Sequence, residues 1–322
     1  MKEIKKILVT GAVGQIGSEL TLALREKYGA ENVIATGRKT EPSKELKESG
    51  PFHFIDVNNV DSVEEMISKY DIDTIVHMAA ILSAVGEKNP TLAWDVNMNG
   101  TLNILNLGVK HEMARVVIPS SIAVWGPGTP AIAPQDTALH PTTMYGVTKV
   151  CGEILADYYV QKYNLDSRGL RYPGIISSET LPGGGTTDYA VAIYYEAIKN
   201  KQYTCFVKED TRLPMMYMPD CLKATIDLME APFENLKRHN DYNVGSMSFT
   251  VKDLADSIKK FIPDFTVDYA PDFRQAIADS WPDGVDDTPA REEWGWNPSF
   301  DLDSMTKDML EKLQARHDKG EL

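Results

Sequence analysis

Tyr145 and Lys149 stand four residues apart in Tyr-Gly-Val-Thr-Lys, and on a helix that spacing puts a phenol and an ammonium on one face. A lysine cation within reach of a phenol favours the phenolate and lowers its pKa from about 10 toward working pH, which makes the pair a general base. An isolated pair of this kind is more often a solvated helix face. Two other features raise its weight. Thr10-Gly11-Ala12-Val13-Gly14-Gln15-Ile16-Gly17 lies between an apolar run and an amphipathic segment. Its glycines allow a tight turn and close approach to a pyrophosphate, which the N–H groups of a helix start would meet. The spacing is GxxGxxG rather than GxGxxG. Ser120-Ser121 closes a later apolar run, and the carboxyl ends of strands are where open α/β sheets bind ligands. Ser-Ser after a strand is commonly a cap. Beside Tyr145 and Lys149, Ser121 reads as the partner of a substrate oxygen.

Cofactor choice belongs about 20 residues past the glycine turn. Thr36-Gly37-Arg38-Lys39 lies there without the Asp or Glu that would hold the ribose 2′-hydroxyl of NAD. Arg38 would suit the 2′-phosphate of NADP, or be a solvated charge. Asp56-Val57 follows the next strand, where Asp56 would accept from an adenine amine or cap a turn. His77-Met78-Ala79-Ala80 ends another strand in small residues, as close passage of a flat ring requires. Asn97 falls within a helix; buried, it would hold a proton-relay water, and exposed it would do nothing.

Short β-branched runs alternate with helical patterns through the first half. Strands are expected at Ile7 to Thr10, Asn32 to Ala35, Phe52 to Ile55, Thr74 to His77, Val116 to Ile118 and Leu170 to Tyr172. Helices are expected at Gln15 to Tyr28, Val60 to Lys69, Thr91 to Lys110 and Met144 to Tyr163. The pattern predicts an α/β fold: a Rossmann-like doubly wound parallel sheet with a smaller C-terminal substrate-binding lobe. The expected division is a dinucleotide-binding domain over 1–175 and the lobe over 176–322, with 214–245 returning to the sheet. Ser177 to Thr187 reads as a functional loop rich in Gly, Pro, Ser and Thr. A helix at Tyr189 to Asn200, irregular segments, and a charged helix at Leu302 to His317 follow.

Among 322 residues, 33 basic against 47 acidic side chains give a net charge of −14, which argues against nucleic acid and anionic membrane as partners. Three dispersed cysteines suggest reduced thiols. No CxxC or HExxH pattern exists, so no metal site is expected. Met1 to Lys6 leaves no room for a signal peptide before the first strand, and no apolar run is long enough to span a bilayer. The expectation is a cytoplasmic protein.

Gly11, Gly14 and Gly17 with Ser121, Tyr145 and Lys149 resemble the extended short-chain dehydrogenase/reductase superfamily. Five further segments resemble its L-threonine 3-dehydrogenases: Ile81 to Glu87, Leu170 to Ser177, Gly183 to Ala190, Leu213 to Pro219 and Asp272 to Pro282. The resemblance implies NAD-dependent oxidation of L-threonine's β-hydroxyl, with Tyr145 as base, Lys149 tuning it and binding the nicotinamide ribose, and Ser121 orienting the substrate. It implies cofactor contacts at Gly11, Gly14, Gln15, Ile16, Gly37, Arg38, Asp56, Val57, Met78, Ala79, Ala80, Asn97, Pro119, Tyr145, Lys149, Tyr172 and Ile175. It further implies substrate contacts at Ser83, Gly185, Thr186 and Trp281. Thr186 and Thr187 would equally cap the next helix, and Trp281 would equally be core. Family members have an Asp where this chain has Gly37, so NADP enters as a second cofactor. A homodimer through the Thr91–Lys110 and Met144–Tyr163 helices is also implied, with Ile154, Leu155, Tyr158 and Tyr159 as apolar surface or as sheet packing. Two other readings compete. Dehydratases on this scaffold carry Thr-Asp-Glu where Ser121-Ile122-Ala123 stands, and sugar-nucleotide enzymes place an Asn where Pro173-Gly174 follows. A non-catalytic dinucleotide sensor would be expected to have lost Tyr145 or Lys149.

Overall fold

A computed structural model describes residues 2–180 and 185–322, so Gly183 and Gly184 of the glycine–threonine segment lie outside the described residues. Apolar strands too short to be helices need cover on both faces, and the chain supplies a helix after most of them. The strands of the first half are β1 (Ile7–Thr10), β2 (Val33–Gly37), β3 (Phe52–Phe54), β4 (Thr74–His77), β5 (Arg115–Val117), β6 (Ser120–Ser121), β7 (Ile132–Ala133), β8 (Ser167–Arg168), β9 (Leu170–Tyr172) and β10 (Gly174–Ile176). The helices between them are α1 (Gln15–Tyr28), α2 (Lys44–Glu48), α3 (Val60–Tyr70), α4 (Ser83–Lys88), α5 (Pro90–Trp94), α6 (Gly100–Lys110) and α7 (Met144–Tyr163). The six-stranded parallel sheet runs β3-β2-β1-β4-β5-β8. Strand alternation divides its packing. Ile7 and Val9 face Leu20 and Leu24 of α1, while Leu8 faces the other way, toward α3 and α6. Strand order reverses between β1 and β4, which opens a crevice at their carboxyl ends.

The helix expected over Thr91 to Lys110 is broken. A π-helical turn, Asp95–Asn99, separates α5 from α6. Such a turn widens the helix by a residue and is paid for by local contacts. Here the Asn97 side chain accepts from Ile81 N at 2.7 Å and donates to Ile81 O and Thr148 Oγ1, each at 3.0 Å.

The stretch read as irregular is ordered. After α8 (Tyr189–Lys199), the helix expected at Tyr189 to Asn200, it holds β11 (Gln202–Cys205), β12 (Arg212–Tyr217), α9 (Met218–Glu230), β13 (Tyr242–Asn243), β14 (Met247–Thr250), α10 (Val251–Lys259), β15 (Thr266–Tyr269), α11 (Arg274–Ala278), β16 (Gly284–Val285) and α12 (Thr288–Trp294), before α13 (Leu302–Asp318). α10 carried a readable signal: Thr250 and Asp253 form a capping box, and Val251, Leu254, Ala255 and Ile258 are buried at helical spacing. The short strands pair at a distance, β10-β12-β14, β11-β15, β13-β9-β6 and β16-β7, so no local pattern could have paired them. Their core gathers Tyr194, Leu213, Phe249, Ile258 and Met309.

Candidate active site

A cleft of about 430 Å³ crosses the crevice past Gly11, Gly14, Gly37, Arg38 and Asp56. Gly11 has φ +68°, and a Cβ there would fall 2.6 Å from Ala79 N, so only glycine lets the turn lie against the end of β4. Gly14 begins α1 with no side-chain cap, and Gln15 Nε2 is buried with no hydrogen-bond partner among the described residues. Uncapped helix N–H groups beside a glycine cradle fit the pyrophosphate of a dinucleotide. Val57, Met78, Ala79 and Ala80 also line this cleft.

At the far end of the cleft, Arg38 Nε lies 2.8 Å from Asp56 Oδ2. Asp56 Oδ1 accepts from Asn58 N at 3.0 Å, so both its oxygens are engaged. At Gly37 an added Cβ would meet Val13 Cγ1 at 3.1 Å and the Phe52 ring at 3.2 Å.

β6 brings Ser121 to the sheet's carboxyl end, in register with Tyr172. Ser121 Oγ accepts from Ala123 N at 3.2 Å and starts a short helical turn. α7 begins beside that turn, capped by Thr143, which accepts from Gly146 N at 3.1 Å. A Cβ on Gly146 would run into the Ala123 carbonyl, so the glycine after Tyr145 is what lets α7 press onto the Ser121 turn. Lys149 Nζ donates to Pro119 O at 2.6 Å and lies 5.6 Å from the Tyr145 ring centroid.

The expected fall in the Tyr145 pKa is reversed in this structure. Burial pushes the phenol up to about 12, opposed by its hydrogen bond with Ser121. Burial also draws Lys149 down to about 8, opposed by Glu153. Spacing alone put a cation near the phenol; removal of both groups from water outweighs that proximity.

The remaining predicted residues take varied places. Ser83 is buried at the start of α4, which is tied to α7 through Glu87 Oε1 accepting from Met144 N at 2.7 Å. Thr186 is buried, Gly185 N donates to Asp188 Oδ2 at 2.6 Å, and no side chain caps α8, so the capping alternative for Thr186 and Thr187 does not hold. Trp281 packs both on the C-terminal core and on the cluster of Ile122 and Trp125 beside Ser121. Ile16 is partly buried between two clusters, and Ile175 is buried in β10. The Tyr172 hydroxyl is turned into the core, 2.5 Å from Thr225 Oγ1. Three neighbours of Lys149 escaped the sequence reading, His77 as a side chain, Thr148 and Glu153, as did Arg171 behind Glu153. Glu153 had a signal, since it continues the Tyr145–Lys149 spacing by another four residues.

No helix among the described residues is long and apolar enough to cross a membrane. No group of three His, Cys, Asp or Glu among them could hold a metal ion.

Residues 7–245 match the model of the NAD dependent epimerase/dehydratase family. The chain is 46% identical over 315 residues to an uncharacterized epimerase/dehydratase of Staphylococcus aureus (strain USA300), covering 97% of this chain and 98% of that one. Among solved structures, it is 52% identical to L-threonine dehydrogenase from Clostridium difficile, with TM-score 0.95 over 98% of this chain and 99% of that one. A monomeric L-threonine 3-dehydrogenase of metagenomic origin is 46% identical, with TM-score 0.92 over 96% and 99% of the two chains. The chain belongs to the NAD-dependent epimerase/dehydratase family, and within it is an oxidoreductase that works with a nicotinamide dinucleotide.

Proposed function

We propose that this enzyme oxidises the β-hydroxyl of L-threonine to 2-amino-3-oxobutanoate, with NAD as its dinucleotide. The observation that carries the reading is the convergence of Ser121, Tyr145 and Lys149, with Lys149 in a cavity that shares Ala79 and Ala80 with the cleft, in a chain 52% identical to an L-threonine dehydrogenase. The dinucleotide, when bound, would supply the acceptor for the hydride on the substrate's Cβ. Tyr145 takes the hydroxyl proton, the O–H electron pair is left to close the new C=O bond, and the Cβ–H pair departs with the hydride, so a ketone remains. Ser121 holds the hydroxyl toward the phenol. Lys149 supplies positive charge beneath the phenolate as it forms. Gly11, Gly14, Gln15 and Ile16 hold the pyrophosphate, and Val57, Met78, Ala79 and Ala80 frame the adenosine. Asn97 acts by pinning Ile81 and Thr148 beside Lys149. Pro119 offers the carbonyl that receives Lys149, while Tyr172 and Ile175 support the adjoining strands. Residues 1–175 bind the dinucleotide, and 176–322 supply the substrate lobe. Ser83, Gly185, Thr186 and Trp281 close on the amino acid's ammonium and carboxylate.

NAD is preferred over NADP because Asp56 occupies Arg38 and would repel a 2′-phosphate. The test follows reduced dinucleotide by absorbance, with NAD and separately NADP, against L-threonine, L-allo-threonine and L-serine. No threonine-dependent signal with either cofactor overturns the reading, and turnover of a nucleotide sugar instead would establish the alternative. A chelator should leave turnover unchanged.

Pairing of two chains through α5, α6 and α7 is also part of this reading. Ile154 and Tyr158 are 64% and 49% exposed, while Tyr159 is buried and Leu155 packs on the sheet core. Light scattering at micromolar chain concentration should give twice the chain mass. A chain-mass species would place this enzyme with its monomeric relative.

A further inference from the structure

The row begun by Tyr145 and Lys149 continues to Glu153, one more turn along α7 on the same face. Glu153 is buried, as is Arg171 of β9, whose Nε and Nη2 reach its two oxygens at 2.9 and 2.8 Å. Arg171 is itself fixed by Gln135 O at 3.2 Å and Asn243 Oδ1 at 3.1 Å, with Asp241 behind it at 3.8 Å. Burial pushes the Glu153 carboxyl above its usual range, and the Arg171 hydrogen bonds and charge oppose this by favouring the carboxylate.

Lys149 and Glu153 share a small polar cavity with His77, Asn97, Ser120 and Thr148. His77 Nδ1 lies 2.8 Å from Thr10 Oγ1, and Nε2 has no hydrogen-bond partner among the described residues. Burial and the Lys149 charge hold the imidazole at about 3, so it is neutral. The titratable and charged groups around Lys149 are therefore Tyr145 and Glu153 on α7, neutral His77 on β4, and Arg171 with Asp241 behind Glu153. Glu153 is the carboxylate that faces the ammonium across the cavity.

We propose that Glu153 is a positioning residue for proton transfer: clamped by Arg171, its carboxylate keeps Lys149 an ammonium and holds it beneath Tyr145. The inference rests on the assignment of Tyr145 as base. Without the carboxylate, only the Pro119 carbonyl is left to offset burial, and Lys149 would release its proton earlier. The productive pair, phenolate with ammonium, gains tenfold per pH unit until Lys149 begins to deprotonate, and then levels off.

Glu153→Gln keeps the shape and one Arg171 hydrogen bond but removes the charge. Its kcat profile should match the parent at low pH, level off about one unit lower, and reach a plateau roughly tenfold lower. KM should be unchanged, and Glu153→Asp should move the break back. A uniform loss of kcat with the break unmoved, or no change at all, overturns the proposal. Should Glu153→Gln fail to fold, Ser120→Ala carries the test, because the Ser120 hydroxyl lines the same cavity and favours the charged form of Glu153, which burial disfavours, while the Arg171 clamp stays. Its break should move the same way by less, and an unmoved break is fatal to the idea. A readout independent of substrate is the titration of Lys149 itself in the full chain with ε-carbon-labelled lysine, assigned by Lys149→Ala. The midpoint should fall in Glu153→Gln, and an unchanged midpoint overturns the inference. Turnover retained in Tyr145→Phe would remove the base, and this proposal with it, whereas loss of threonine specificity alone would leave the lysine titration intact.

Discussion

At the scale of single residues, the site is a contest between proximity and burial. Tyr145 carries its reaction only as phenolate, and burial pushes it up to about 12, while Lys149 sits near 8. The rate should therefore climb with pH from neutrality and level off near the Lys149 value, which initial rates across that range would show. Tyr145→Phe removes the acceptor of the proton and should lower kcat roughly 10³-fold while dinucleotide affinity, measured by fluorescence titration, is kept. At the other end of the cleft, the Arg38–Asp56 pair is partly exposed and so contributes little to stability. Asp56→Asn frees Arg38 at small structural cost, and kcat/KM for NADP relative to NAD should rise a few-fold. No change in that ratio would show that Arg38 does not reach the cofactor.

At the scale of elements, α9 shows how a helix of the second half becomes part of the dinucleotide sheet. Its last carbonyls would be orphaned at a buried end. Arg168 Nη1 instead donates to Leu228 O at 2.6 Å and Ala231 O at 2.7 Å, and Arg115 donates to Met229 O. Both guanidiniums are buried and share Asp166, which Arg168 Nε reaches at 2.7 Å. Arg168→Ala leaves the Leu228 and Ala231 carbonyls unpaired and Asp166 with Arg115 alone, and should lower unfolding free energy by about 3 kcal/mol in denaturant titrations. A change below half that would mean Arg115 suffices. By contrast, Thr250→Ala removes half of a capping box at the start of α10, and its expected effect is about 1 kcal/mol.

At the scale of the molecule, Glu19 joins the two halves. It lies on α1 and accepts from Ser177 Oγ at 2.5 Å, at the entrance to the loop that leads to Gly185 and Thr186. Arg316 of α13 holds the same segment through Ser178 O and Glu179 O. Burial raises Glu19 from 4.5 to about 7. The folded chain thus keeps this proton to higher pH than the unfolded chain, so the group's contribution is full below about 4.5 and is lost as pH rises through 7. Glu19→Gln mimics the protonated form. It should stabilise the protein by about 2 kcal/mol above pH 7 and hardly at all near pH 4, as melting curves across that range would reveal. Equal stabilisation at both ends would assign the effect to packing instead.

Much of the site was legible because its parts are local. The β1–glycine turn–α1 unit, the Ser121 strand end and the Met144–Tyr163 helix each declare themselves within a few residues, through burial period, turn chemistry and capping. The sequence by itself determined which residues are offered to the crevice. Only tertiary structure decided their state: Glu153 is clamped by an arginine 18 residues away, Asn97 is turned inward by a π-helical turn, and Arg38 is claimed by Asp56. The reason is physical. Hydrogen-bond partners and desolvation depend on which distant segments exclude water from a group, and that is a property of the closed fold rather than of spacing along the chain.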